Sequence, residues 1–339
     1  MMISVIIPTR FRIKELQDCI KSLESQSSKP DEILIIADVD DLDTEKFFKN
    51  YKTDNFKIQF LKSNGGTCIK RNLAIDHAKG DILVFLDDDV ILHKDFIKNT
   101  KDIFIDEQVN LVTGYIFDAL DLTNPSVMRR SDIDYILENP NDEFVNIIKQ
   151  KVFHNSNVNV GQSYFFIKMF RNLLKSIFLL ESPLKGKILP SGYRSEMPSL
   201  EKIKENQRVE WVFGGNFAVR KDVLRKFRFN ESLEKYPYAL NEDLEFSARV
   251  GKKYDIFLSP KMLLLHLRSP GRKIVGSKRY SCLVISTYLV AKIKGNRVAH
   301  RWSVFGLILN SILKLPFDKI AKDEIFGVFS GVKKIKELT

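Results

Sequence analysis

Cysteine is scarce in this 339-residue chain: Cys19, Cys68 and Cys282 lie far apart and form no CxxC pair. A disulfide-stapled scaffold and a cysteine zinc site are therefore not expected, and the thiols fit small core residues of a reduced, cytosolic protein. Long apolar runs are missing too. No window reaches the roughly 18 uncharged apolar residues of a membrane-spanning helix. The apolar opening Ile3-Ser4-Val5-Ile6-Ile7 is cut by Pro8, and Arg10 and Arg12 follow it, on the wrong side for a signal peptide. There is no internal repeat and no low-complexity tract. The basic residues are not gathered with aromatics into a nucleic-acid-binding motif, so no nucleic-acid partner is expected.

What is present is a globular composition, with 44% apolar residues and a formal charge of +11. The positive excess favours anionic partners, such as an acidic membrane surface or a phosphorylated small molecule. It is uneven: the first half is nearly balanced and rich in Asp, and Lys and Arg dominate from about Lys168 onward.

The first 120 residues alternate between two periods. Ser4–Ile7, Glu32–Ala37 and Lys57–Leu61 are apolar strands. Glu15–Gln26, with Leu16, Cys19, Ile20 and Leu23 at helical spacing, is a helix, as are Thr44–Tyr51 and Thr67–Ala78. Strands alternating with helices in this way predict an α/β fold with a doubly wound, mostly parallel sheet and right-handed crossovers. Further on, Val209–Arg220 is expected as strand, Gly-Gly turn and strand, Asn241–Val250 as a helix with an acidic start, and Lys261–Leu267 as a strand.

Leu83-Val84-Phe85-Leu86 runs directly into Asp87-Asp88-Asp89. A buried strand with three carboxylates at its carboxyl end places them in the crevice where open α/β sheets bind ligands. Crowded carboxylates repel one another and are costly to desolvate, so they call for a cation. Mg²⁺ or Mn²⁺ suits oxygen ligands and commonly arrives with substrate phosphates. Neutral imidazole is also a ligand for transition ions, which makes His266 a candidate third ligand beside Asp87 and Asp89.

Ser4-Val5-Ile6-Ile7-Pro8-Thr9, the Asp87-Asp88-Asp89 turn and Asn241-Glu242-Asp243, in this order, resemble family 2 glycosyltransferases. The resemblance covers about residues 1–120 and 208–268. It implies a GT-A-type, Rossmann-like sheet flanked by helices and an inverting transfer from a nucleotide-sugar donor. It also implies a division of the chain. Residues 1–120 would form the nucleotide-sugar-binding half and 208–268 the acceptor half, separated by a variable, partly helical insertion at 121–207. A basic helical extension would follow at 269–339.

Carried onto this chain, the family pattern puts Thr9 near the nucleobase, Asp38 on the base and Arg71 against base or phosphate. Asp87 and Asp89 become metal ligands, and Asp88 faces the ribose or sugar. Asp243 becomes the general base and Glu242 an acceptor-binding residue. Trp211, beside Gly214-Gly215, is a candidate acceptor wall. Arg268 and Arg272 have the fork geometry to clamp a diphosphate. Processive members carry Q-x-x-R-W; here Arg301-Trp302 is preceded by Val298 where Gln would stand, so transfer of one or a few sugars is expected.

Gln162–Leu180 and Tyr280–Leu315 mix aromatic and aliphatic residues with Lys and Arg, as interfacial helices do. They suit a glycan or lipid-linked acceptor at an anionic membrane surface, reached from the cytoplasmic side. Two rival readings stand beside this one. Asp87 and Asp89 could serve Mg²⁺-dependent phosphoryl transfer, although such a motif is expected after the first strand. A non-catalytic nucleotide-sugar-binding membrane module would leave Asp243 without a task.

Overall fold

The computed structural model describes residues 1–118, 130–138, 173–236, 239–267, 275–315 and 320–336. The alternating segments form β1 (Ile3–Pro8), α1 (Ile13–Glu24), β2 (Glu32–Asp38), α2 (Leu42–Asn50), β3 (Lys57–Ser63), α3 (Thr67–His77) and β4 (Ile82–Leu86). β1 pairs in parallel with β2 and β4, and β2 with β3. These central strands are continuous apolar runs because helices cover both of their faces. Val5 and Ile7 pack with Leu16 and Ile20 of α1 on one face. Ile6 and Phe85 pack with Cys68 and Ala74 of α3 on the other. All three cysteines are buried and unpaired, as their scarcity predicts.

The chain continues through β5 (Val90–Leu92), α4 (Phe96–Ile103), β6 (Leu111–Asp118), α5 (Arg130–Glu138), β7 (Gln207–Val209), β8 (Asn216–Arg220), α6 (Lys221–Lys226), α7 (Glu242–Val250) and β9 (Ile256–His266). The strand order is β3-β2-β1-β4-β8-β6-β9-β5, with β7 on β9. β8 runs antiparallel to β4 and β6, and β6 lies parallel to β9, so the far half of the sheet is mixed. Of the expected strand, Gly-Gly turn and strand over Val209–Arg220, the turn and the second strand form. Phe213 bridges to Asn216 across Gly214-Gly215, with Asn216 N donating to the Phe213 carbonyl at 3.0 Å, while β7 ends at Val209 and pairs with β9. β9 starts at Ile256, earlier than Lys261. Its register on β6 shifts between Leu258 and Leu263, around Pro260, which has no N–H to pair.

Three helices close the described chain: α8 (Gly276–Ile293), α9 (Arg297–Lys314) and α10 (Ala321–Lys336). α8 packs against α7, α9 and α10. Gly192 lies so close to α8 that an added Cβ would overlap the Thr287 carbonyl, and its φ of +87° suits glycine alone. Among the described residues no helix is long and apolar enough to cross a membrane. Most of the expected Gln162–Leu180 helix lies outside the described residues; Leu173 to Ile177 is helical.

Candidate active site

β4 ends at Leu86 and β5 begins at Val90, so the three aspartates form the turn between two buried strands. β5 pairs with the end of β9, which sets His266 opposite Val90, and Leu267 N donates to the Asp89 carbonyl at 2.8 Å. That register brings His266 to the turn. Its Nε2 lies 3.1 Å from Asp89 Oδ1. Asp87, Asp89 and His266 each offer a ligand atom, and these atoms all lie within 4.8 Å of one another. Two carboxylates and an imidazole converging at this spacing fit a divalent ion of the Mg²⁺ or Mn²⁺ kind.

Asp88 faces the opposite way. Thr9 Oγ1 donates to it at 2.7 Å and Arg12 Nη1 at 3.1 Å, and the same Arg12 nitrogen reaches Asp89 Oδ2 at 3.4 Å. Burial pushes the Asp88 carboxyl up to about 6, against the pull of Arg12. Thr9 is therefore a clamp on the acidic turn, and Arg12, which no sequence pattern singles out as a site residue, is a cation already seated on it.

Asp38, at the end of β2, is bonded by Lys70 Nζ and by Arg10 Nε at 2.8 Å. Lys70 also donates to the Thr9 carbonyl at 2.7 Å. The neighbouring Asp41 is occupied otherwise: it caps α2 through Thr44 N and accepts from Phe11 N at 2.7 Å. Asp38 and the exposed Asp40 are the other two acids at this edge.

Arg71, expected against base or phosphate, lies on a different side of α3 from Lys70, which meets Asp38, because adjacent helix residues point about 100° apart. Arg71 is 1% exposed. It donates to Glu242 Oε1 and to the Gly214 carbonyl, each at 2.8 Å, lies 3.9 Å from Asp87 Oδ1, and sits 5.1 Å over the Phe229 ring. It thus ties the acidic turn to the helix that bears Asp243 from beneath.

α7 begins after Asn241, whose φ of 63° is tolerated by an Asn side chain. Asp243 Oδ2 accepts from Gly214 N at 3.2 Å and from Arg194 Nη1 at 3.1 Å, while Oδ1 accepts from Leu244 N at 2.8 Å. Glu242 turns to the other side of Gly214, onto Arg71. Burial and the adjacent Asp243 push its carboxyl up to about 7, with Arg71 opposing. A Cβ on Gly214 would lie 3.1 Å from Glu242 Oε1, so glycine lets both acids close on one backbone position.

Trp211 is not an exposed wall. It is 2% exposed and packs with Leu244 and Val290, while the Arg194 guanidinium lies 4.2 Å over its ring. Arg194 occupies the surface that Trp211 was expected to present. No local pattern betrays Arg194: its segment lacks periodicity and its partner lies 49 residues on. Arg268 and Arg272 lie outside the described residues.

The sequence profile of Glycosyl transferase family 2 matches residues 4–172. An uncharacterized glycosyltransferase of Rickettsia conorii is 41% identical over 96 residues, 28% of this chain and 16% of that protein. The GalNAc(5)-diNAcBac-PP-undecaprenol beta-1,3-glucosyltransferase of Campylobacter jejuni is 37% identical over 90 residues, 26% of this chain and 29% of that one. The poly(ribitol-phosphate) beta-N-acetylglucosaminyltransferase TarS of Staphylococcus aureus is 32% identical over 112 residues, 32% and 19% of the two chains. The matched stretches thus span less than a third of these relatives. The crystal structure of TarS 1-349 in complex with UDP-GlcNAc superposes with a TM-score of 0.51 at 14% identity, covering 100% of this chain and 93% of that one, and shares its GT-A fold. Through residues 4–172 this chain belongs to glycosyl transferase family 2.

Proposed function

We propose that this protein is an inverting, metal-dependent, non-processive glycosyltransferase. It moves a sugar from a nucleotide-sugar donor to an acceptor hydroxyl in bacterial surface-polysaccharide or glycolipid assembly. The acceptor is a glycan or lipid-linked glycan, met from the cytoplasmic side of an anionic membrane surface. The observation that carries the reading is the placement of Asp243 across Gly214 and Gly215 from the Asp87, Asp89 and His266 cluster, with Arg71 joining the two sides.

Donor binding falls to the edge formed by β1, β2 and β4. Asp38, held by Lys70 and Arg10, accepts from the base. Thr9 and Asp88 set the ribose side. Asp87, Asp89 and His266 would hold Mg²⁺ or Mn²⁺, which as a Lewis acid would offset the charge that develops on the departing diphosphate. Asp243 takes the proton from the attacking acceptor hydroxyl; its bonds from Gly214 N and Leu244 N fix the carboxylate at the cleft. Glu242 and Arg194 flank it on the acceptor side, and Arg268 and Arg272 are proposed for the diphosphate.

A panel of nucleotide sugars, screened for donor-induced thermal stabilisation with and without Mn²⁺, should identify the donor. With it, Asp243→Asn should lower kcat by roughly a hundredfold or more and leave donor stabilisation in place. An unchanged transfer rate in Asp243→Asn would overturn the base assignment.

A further inference from the structure

The C-terminal helices take no part in the chemistry above, yet their surface is unusual for protein facing water. Between Asp255 and Asp318 the chain contains eleven Lys and Arg and not one Asp or Glu. α9 buries one face, with Val304 and Leu307, against its neighbours. Its other face is apolar as well: Val298 is 76% exposed, Trp302 45%, Phe305 54% and Ile312 47%. Successive steps of four, three and seven residues keep these four on one side of the helix. The exposed Arg297 and Arg301 border the stripe. Trp302 anchors it, donating to the Ile177 carbonyl at 2.8 Å and packing 4.9 Å from the Phe178 ring, so that exposed Ile177 and Leu173 extend it. On α10, Phe326 and Phe329 are 70% and 57% exposed and stand between exposed Lys322 and Lys333 at helical spacing.

A face this apolar is seldom left to water in a monomeric protein. We infer that α9, centred on Trp302 and Phe305, lies on an anionic lipid bilayer. Aromatic and aliphatic side chains enter the headgroup boundary while Arg297 and Arg301 meet lipid phosphates. Charge selects this occupant over a second copy of the chain, which would set cations against cations. The helical unit also abuts the acceptor side of the cleft: Asn241 Nδ2 donates to Ser286 Oγ at 3.0 Å, and Gly192, two residues before Arg194, presses on α8. A bilayer under α9 would bring lipid-linked acceptors near Asp243. That consequence rests on the proposed function; bilayer binding itself does not.

The test is flotation of the full chain with vesicles of phosphatidylcholine alone, or of phosphatidylcholine with phosphatidylglycerol, without donor or acceptor. Binding is expected to the anionic vesicles, to fall with salt, and to shift Trp302 emission to the blue. Arg297→Glu with Arg301→Glu should weaken it by roughly tenfold or more, given a few-fold per cation near the surface. Phe305→Ser, and separately Phe326→Ser with Phe329→Ser, should weaken it while donor-induced stabilisation persists, which shows the variants fold. Absence of flotation, binding indifferent to charge and aromatic variants alike, or a dimer that Phe305→Ser dissolves would each overturn the inference. Because no turnover is measured, failure of the transfer assay and failure of flotation are separate results.

Discussion

Gly215→Ala should disable the metal cluster without removing a ligand. A Cβ built on Gly215 would lie 3.0 Å from Asp87 Oδ1 and closer still to Cγ and Oδ2, inside any real non-bonded contact. Normal contact needs about 3.5 Å or more, so the carboxylate must retreat by roughly 1 Å. Gly215 has no positive φ, so alanine adds no backbone strain. Asp87 is 40% exposed and free to swing, which keeps the cost to folding small. The site is less forgiving, since ligand distances hold to within about 0.2 Å. Mn²⁺ affinity, read by calorimetric titration, should fall roughly tenfold to a hundredfold. Tm without metal should stay close to that of the parent. Wild-type Mn²⁺ affinity in Gly215→Ala would refute the assignment of Asp87 as a ligand. A collapse in Tm would instead refute the argument that its carboxylate yields.

Two further outcomes follow from the acceptor side. The Glu242 carboxyl is raised in the folded protein from its ordinary 4.5 to about 7, so the folded state holds a proton there that the unfolded state has released. Its stabilising share is complete below about 4.5 and is lost as pH rises toward 7. Thermal melts from pH 5 to 8 should show wild type losing stability relative to Glu242→Gln; the opposite slope would contradict the burial argument. Arg194→Ala should raise acceptor KM by roughly tenfold to a hundredfold, the worth of a charged hydrogen bond, and leave donor KM unchanged. A change confined to donor KM would place Arg194 elsewhere.

The inner strands of the parallel half were legible because they obey one rule, burial on both faces. Leu83–Leu86 and Glu32–Ala37 are apolar runs of strand length, bounded by turn residues. The acidic turn was legible because carboxylates directly after a buried strand have few places to go. Long-range geometry was not legible. Whether Lys70 or Arg71 meets Asp38 depends on the rotation of α3, which is set in part by Glu234 accepting from Cys68 N at 2.6 Å, 166 residues apart in sequence. Trp211 offered a ring of the right type, but its burial depends on α8 packing against α7, a contact no local pattern encodes. The Gly214-Gly215 pair makes the expected turn, but that the same glycines let Glu242, Arg71 and Asp87 approach the backbone depends on contacts distant in sequence.

Repulsion among three aspartates is not by itself enough to imply a metal. Repulsion is largely met by the protein itself: Arg12 spans Asp88 and Asp89, and Arg71 lies between Asp87 and Glu242. If charge were the only need, these arginines would satisfy it. They do not account for the convergence of His266 on the same corner, where its Nε2 lies 3.1 Å from Asp89 Oδ1; an imidazole there can offer a lone pair to an ion, which a further arginine could not. The half-exposed Asp87, given room by the absence of a side chain at Gly215, offers a third candidate ligand atom. The ion is therefore implied less by the three acids than by a histidine 177 residues past Asp89, brought there by the pairing of β5 with β9.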